Sequence, residues 1–275
     1  MPELPEVETY VREIAPFLQG RQVTAARVRW ARTIAAPDPT LFAEMIIGQR
    51  FTTFNRRGKF MLLGLESGDT LIVHLRMTGH LFVQEGGVEP DKHTHVLLDL
   101  DDGRCLHYQD SRKFGRIWLV SNPEWVLAKL GPEPLGEAFS VQAFATKLAG
   151  RGTSIKSLLL DQRIVAGVGN IYADESLFAA RLYPARAGGS LTLPEVERLR
   201  DSIQTVLQKA IQRNGSSLGH SSVQNYLRPN GERGGFQDEH RVYQRAGQAC
   251  IDCGQIIERM VLGQRSTHFC AICQK

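Results

Sequence analysis

The sequence predicts an α+β protein: a β-sandwich or barrel in the first half, a helical second half, and a metal-binding tail. Three observations carry this. Between residues 22 and 120, short runs rich in β-branched and aromatic residues follow one another, separated by turn residues such as Ser67-Gly68-Asp69 and Asp101-Asp102-Gly103. So many strands at such spacing fit a sandwich or barrel. From about residue 140 the apolar residues recur at helical spacing, and four of the five cysteines sit at 250–273 as two Cys-x2-Cys pairs.

In chain order, residues 3–18 read as a helix. Pro5 suits a first-turn position, Glu3, Glu6 and Glu8 suit the positive end of the helix dipole, and Leu4, Val7, Val11, Ile14 and Leu18 form an apolar stripe. Pro16 is expected to disturb the last turn. Strands are expected at 23–30, 50–58, 59–67, 69–77, 80–84, 94–103, 105–110 and 115–120, and the segment 131–139 reads as a linker. Helices follow at 141–149, 154–161, 171–181 and 193–213. The glycine- and serine-rich stretch 215–240 reads as a long loop, a length usually reserved for function or mobility. The expected division is therefore 1–132, 133–240 and 241–275.

The composition is that of a folded soluble protein, 42% hydrophobic and 23% charged over 275 residues. No apolar run approaches a membrane span, and the start, MPELPEVETY, lacks the basic and apolar regions of a signal peptide. The expected location is the cytoplasm, with no membrane partner. The net charge of +4 is mild, but Arg56-Arg57-Gly58-Lys59, Arg112-Lys113-Phe114-Gly115-Arg116 and the tail are locally basic. Such clusters suit a polyanion, although an ordinary solvated surface is the default reading of charge alone. An odd cysteine count without a secretion signal argues against a disulfide scaffold and leaves Cys105 on its own.

Cys250-x2-Cys253 and Cys270-x2-Cys273, sixteen residues apart, have the spacing of a four-cysteine zinc ribbon. Four thiolates close the tetrahedron, so the single zinc is structural. The hairpin between the knuckles would present Arg265 near its tip, within reach of phosphate. Residues 154–181 form two amphipathic stretches around Gly167-Val168-Gly169-Asn170, with Asn170 at an expected N-cap. Such a turn can bind phosphate on free amides, and it equally fits a plain helical hairpin. At the N-terminus, a small second residue generally permits removal of Met1. Pro2 would then carry a secondary amine able to attack an electrophilic carbon and form an iminium ion, with Glu3 and Glu6 nearby to move protons. By itself, a Pro–Glu start reads first as helix capping.

Together these segments resemble a known family, the bacterial formamidopyrimidine-DNA glycosylases. The resemblance runs the whole chain in order: MPELPEVET, RRGKF at 56–60, HLRMTG at 74–79, KHTHV at 92–96, DSRKFG at 110–115 and LGPEPL at 130–135. It continues with IKSLLLDQ at 155–162, GVGNIYADE at 167–175 and GQRSTHFCAICQ at 263–274. The stretch LGHSSVQNYLRPNGERGGF is the least similar part, and Ala271 stands where the family pattern has proline.

The resemblance implies an N-terminal β-sandwich with flanking helices, a helix-two-turn-helix domain and the zinc ribbon, acting as a monomer with no organic cofactor. Double-stranded DNA containing an oxidised base would lie between the domains. Pro2 would attack C1′, Glu3 would donate a proton, Glu6 would orient the site, Lys59 would serve β-elimination and Arg265 δ-elimination. Met77, Arg112 and Phe114 would fill the gap left by an everted base; without the resemblance, Met77 and Phe114 read as core residues. His93, Arg151, Lys156 and Asn170 would contact the DNA backbone, with His74 a further candidate, and 215–236 would sense the lesion. Three other readings stand beside this one. They are an endonuclease VIII-like enzyme for oxidised pyrimidines, a non-catalytic DNA-binding protein with a zinc ribbon, and an N-terminal-proline enzyme such as a tautomerase. Leu4-Pro5-Glu6-Val7-Glu8 and the Met77, Arg112, Phe114 set favour the oxidised-purine branch.

Overall fold

The computed structural model describes residues 2–218 and 226–275. The chain forms two compact units, Met1–Ala128 with Asn214–Gly235, and Lys129–Arg213 with Phe236–Lys275. The first unit runs α1 (Leu4–Leu18), β1 (Val23–Val28), β2 (Ile34–Ala36), α2 (Pro39–Ile46), β3 (Phe51–Arg57) and β4 (Phe60–Leu65). It continues with β5 (Thr70–His74), β6 (Gly79–Glu85), β7 (Thr94–Leu100), β8 (Arg104–Asp110), β9 (Arg116–Val120) and the one-turn helix α3 (Glu124–Leu127).

These strands form two sheets, of order β1-β7-β8-β6 and β2-β9-β5-β4-β3, antiparallel throughout except for β2 beside β9. Alternate residues along each strand point to one face. Met61, Leu63 and Leu65 of β4, Leu71 and Val73 of β5, and Ile117 and Leu119 of β9 share one buried cluster with Val96, Leu98, Leu100, Leu106 and Tyr108 of the other sheet. The expected sandwich is therefore present. Val7, Tyr10, Val11, Ile14 and Leu18 join the same cluster, so α1 lies against the sandwich along its predicted stripe.

Two local expectations need correction. The helix continues through Pro16 to Leu18. Proline removes one donor, but Arg12, whose carbonyl loses that bond, and Pro16 itself are exposed, where water can replace it. Helix α2 falls where only strands were expected. Its cue is Asp38-Pro39: the Asp38 carboxylate accepts from Thr40 N and Leu41 N at 3.0 and 3.2 Å, and Pro39 occupies the first turn. Phe42 and Ile46 then enter the core. Eight residues are too few for a periodicity to stand out in a strand-rich region.

The second unit contains α4 (Val141–Leu148), α5 (Ile155–Leu160), α6 (Asn170–Ala179), α7 (Leu193–Gln212) and a hairpin of β10 (Glu258–Leu262) and β11 (Arg265–Phe269). Ser140 and Ser154 cap α4 and α5 through their hydroxyls, and a Thr192–Glu195 capping box opens α7. Helix α6 is buried from Ile171 to Phe178, the pattern of a helix enclosed on all sides. Its N-cap is Gly169; Asn170, expected to cap, is the first helical residue and uses its side chain elsewhere. Gln162 braces the preceding glycine turn, accepting from Gly167 N at 2.9 Å and donating to Val168 O at 2.8 Å. Of the long loop expected at 215–240, residues 219–225 lie outside the described residues, and Phe236–Glu239 form a short 3-10 turn.

Leu63 is fully buried at the centre of the sandwich. Leu63→Ala is expected to lower unfolding free energy by about 2–5 kcal/mol in a urea titration, because the lost contacts leave a cavity.

Candidate functional site

The start of α1 is buried although it is rich in charge. Pro2 is buried, and Glu3 and Glu6 are 3% and 1% exposed. The two glutamates form a reciprocal capping box: the Glu3 carboxylate accepts from the backbone at Glu6, while Glu6 Oε2 accepts from Glu3 N at 2.7 Å. Glu6 Oε1 accepts from Ser216 N, also at 2.7 Å. Next to Ser216, Gly215 has φ +75°, and a Cβ there would lie 2.7 Å from Glu6 Oε1. Glu6 thus joins the helix start to the 214–218 segment, and both its oxygens hold backbone donors, which suits orientation more than proton transfer. Met1 lies outside the described residues.

Lys59 is the second residue of a two-residue turn between β3 and β4. Arg57 pairs with Phe60, and Gly58 takes φ +56° at the first turn position, the type II′ pattern. Lys59 is 6% exposed. Arg56 fixes this turn to α1: its guanidinium donates to Gly58 O at 3.0 Å and to the Glu8 carboxylate at 3.1 Å. The chain therefore brings the turn that carries Lys59 to the helix that follows Pro2.

His74 ends β5 and is buried, with the Phe60 ring 4.5 Å away edge-on. Its Nδ1 accepts from Arg76 N at 3.0 Å, which places the ring proton on Nε2. Burial first, then the charges of Arg76 and Lys59, push its pKa down to about 3, so the ring is neutral. Beyond it, the β5–β6 loop carries Met77 and the β8–β9 loop carries Arg112 and Phe114. The Arg112 guanidinium donates to Met77 Sδ at 3.0 Å and lies 4.8 Å from the Phe114 ring centroid. Phe114 is 49% exposed. The three predicted gap-filling residues therefore form one cluster on the surface, and Phe114 is not the core residue that its type alone implies. His93 is half-buried, and its carbonyl accepts from Asp110 N at 2.9 Å.

In the second unit, Arg265 is the exposed first residue of β11, after a Gly263-Gln264 turn with φ +53° and +63°. That is the type I′ pattern of a tight hairpin. Arg151 is exposed between α4 and α5. Lys156, expected on the DNA backbone, is instead completely buried. Its ammonium pairs with Asp174 at 2.6 Å and donates to Ser266 O at 2.8 Å. Asn170 Nδ2 donates to the same carbonyl at 3.0 Å. Asp174 also accepts from His268 N and Nδ1 at 2.9 and 3.1 Å. An ammonium removed from water requires such a partner, so Lys156 acts on the hairpin beneath Arg265 rather than at the surface.

Asp174 and the adjacent Glu175 were given no role from sequence. The Glu175 carboxylate accepts from the backbone of Arg241, Val242 and Tyr243 at 2.8–3.0 Å, while burial raises its pKa against those three bonds. The available cue was two adjacent acids in a helix that is otherwise apolar around its circumference. Asp110 carries no cue beyond its place in DSRKFG.

The four cysteine sulfurs all lie within 4.8 Å of one another, with Cys250–Cys273 at 3.9 Å and Cys253–Cys270 at 3.5 Å. A tetrahedron with zinc–sulfur bonds of ~2.3 Å has edges of ~3.8 Å, so the cluster fits zinc. Cys250 and Cys270 pack with Phe178 at the end of α6, Val242 and Ile257, which gives the cluster a rigid inner side.

Three family descriptions match the chain: the formamidopyrimidine-DNA glycosylase N-terminal domain over residues 1–117, the H2TH domain of the same enzymes over 130–222, and a zinc finger found in FPG and IleRS over 247–275. The formamidopyrimidine-DNA glycosylase of Desulfitobacterium hafniense is 45% identical over the full length of both chains. The crystal structure of the MutM (FPG) protein of Thermus thermophilus has a TM-score of 0.89 at 43% identity, covering 99% of this chain and 98% of that one. The Lactococcus lactis FPG (MutM) complex with DNA containing Fapy-dG has a TM-score of 0.91 at 34% identity, covering 99% of this chain and 100% of that one.

The hydrogen bond from Arg76 N makes a specific expectation for His74. Nitrogen-detected NMR should find Nδ1 unprotonated and Nε2 protonated, with no titration between pH 5 and pH 8. In the unfolded chain the ring takes a proton below about pH 6.5. The folded pKa is depressed, so this group's contribution to stability is intact above that value and is lost as pH falls toward 3.

Proposed function

Since the chain belongs to the formamidopyrimidine-DNA glycosylase family, we propose that it removes oxidised purines from double-stranded DNA and cuts the strand at the resulting site. The observation that carries this reading is the buried start of α1, where Pro2 adjoins two enclosed carboxylates and the following helix is tied to the turn bearing Lys59. With Met1 removed, the Pro2 nitrogen attacks C1′ of the damaged nucleoside. The N–C1′ bond forms as the glycosidic bond breaks, and the base leaves with its electron pair and takes up a proton. Glu3 is the proton donor in this early step. Loss of the nitrogen proton and opening of the sugar give an iminium ion, which acidifies C2′–H. Lys59 then assists β-elimination, which expels the 3′ phosphate, and Arg265 assists the second elimination at the 5′ side.

Glu6 holds the amine's surroundings through its two backbone contacts. Eversion of the base leaves a gap, which the Met77, Arg112 and Phe114 cluster fills, with Arg112 offering donors to the orphaned partner base. His74, His93, Arg151 and Asn170 bind phosphate, and His74 does so as a neutral Nε2–H donor. Lys156 supports the Arg265 hairpin from beneath, and a structural zinc held by Cys250, Cys253, Cys270 and Cys273 keeps the knuckles closed.

Borohydride reduction during turnover of duplex containing 8-oxoguanine should trap a covalent adduct, and peptide mapping should place it on Pro2. Protein that retains Met1 should bind the same duplex and form no adduct. Adduct formation at any other residue, or none with correctly processed protein, contradicts the reading. Faster excision of thymine glycol than of 8-oxoguanine would assign the pyrimidine branch instead.

Metal analysis should find one zinc per chain. Cys250→Ser should weaken duplex binding while the sandwich unit keeps its fold, as read by near-ultraviolet circular dichroism; unchanged affinity would remove the ribbon from the DNA surface.

A further inference from the structure

Two loops carry the cluster of Met77, Arg112 and Phe114, and both rest on the same two side chains. The first is Asp110, the last residue of β8, which is 1% exposed. Its Oδ1 accepts from the Thr78 hydroxyl at 2.5 Å, across to the β5–β6 loop, and from Arg112 N at 3.2 Å. Its Oδ2 accepts from Gly115 N at 2.8 Å, at the far end of the β8–β9 loop. The Asp110 carbonyl accepts from Lys113 N at 3.2 Å and from His95 Nε2 at 2.8 Å. One carboxylate therefore holds the loop of Met77 and both ends of the loop of Arg112 and Phe114.

The second side chain is Tyr108, two residues earlier on β8 and 1% exposed. A Cβ built on Gly79, where the first loop ends, would lie 2.8 Å from its Oη; a Cβ built on Gly115, where the second ends, would lie 1.4 Å from it. The phenol sits directly beneath both loop bases. Above this floor, Arg76 and Lys113, one in each loop, hold φ of +56° and +59°, the left-handed region that residues with a side chain adopt uncommonly.

We infer that Asp110 is a positioning residue for base eversion: it sets the register of the two loops so that the Met77, Arg112, Phe114 wedge is assembled before DNA arrives. This rests on the proposed glycosylase reading and adds a requirement to it. A wedge built by ordering two free loops on DNA would lose binding energy to that ordering; a preassembled wedge applies it to unstacking the base. The demand is greatest when an intact, stacked base must leave the helix. It is least at an abasic site, where no base is stacked.

The test is therefore a ratio. Asp110→Asn keeps the shape but turns one oxygen into an amide nitrogen, and in either orientation a backbone N–H, of Arg112 or of Gly115, then faces a donor. Two single-turnover rates are measured for wild type and variant: excision of 8-oxoguanine from duplex, and cleavage of the same duplex carrying a preformed abasic site. The ratio of excision to cleavage is expected to fall about tenfold or more in the variant, the ~1.4 kcal/mol scale of a lost hydrogen bond to a charged group. Thr78→Val, which removes only the link between the loops, should move the ratio in the same direction by less. Partial unfolding scales both rates alike and leaves the ratio unchanged, so an unchanged ratio in both variants overturns the inference. Failure of the glycosylase reading is distinguishable, because wild type itself would then excise nothing.

Discussion

A carboxylate taken out of water loses several kcal/mol of solvation and must recover it from donors. In this protein the donors are backbone amides at the ends of loops. Glu6 joins Glu3 to Ser216, Asp110 joins Arg112 to Gly115, and Glu175 takes three successive amides from Arg241 to Tyr243. Asp174 takes His268 together with the Lys156 ammonium. Each charge-assisted bond contributes ~1.5–3 kcal/mol net, so two or three offset one buried charge. The arrangement stabilises the fold modestly. Its larger effect is to fix loops and strand ends to rigid helices and strands. Among the segments so fixed are the start of α1, the loop of Arg112 and Phe114 and the hairpin of Arg265.

The second unit shows how far this extends. Ser266 O accepts from both Lys156 and Asn170, and Asp174 binds the next strand position but one through its backbone and ring. The exposed Arg265 thus sits on a hairpin bound to α5 and α6, and the cysteine cluster flanks that hairpin at its open end. Breaking the Lys156–Asp174 pair from either side leaves a buried charge without its counter-charge, a loss of roughly 3–5 kcal/mol. The ribbon is consequently not an appended module, since its inner face is completed by helix side chains.

Much of this was legible in the amino acids. The α1 stripe, the sandwich strands and the paired cysteine spacing each follow from one short-range regularity, and the structure has the stripe against the sandwich and the four sulfurs in one cluster. The family resemblance supplied the candidate site residues, which composition alone could not rank. What escaped depended on contacts distant in sequence. Lys156 looks like any basic residue on an amphipathic helix, and only Asp174, eighteen positions on, shows that it is buried. Asn170 has the residue type of a cap, but the third dimension gives its amide a better acceptor. Phe114 has the chemistry of a core residue, and only its loop shows that it faces solvent. Asp110 lies in plain view within DSRKFG, yet the three donors to its carboxylate, Thr78, Arg112 and Gly115, come from two separate loops. Helix α2 was hidden for a different reason, being too short for periodicity and marked only by its Asp-Pro start.

The glycines over Tyr108 have a consequence for how such a surface can change. Positions 79 and 115 admit no side chain, and the carboxylate between them accepts only donors in fixed places. The feet of both loops are therefore closed to substitution, whereas their tips face open solvent. Substitution on this surface is channelled into the loop tips, residues 76–77 and 111–114. The scaffold is a socket whose exposed positions can change without altering the fold beneath.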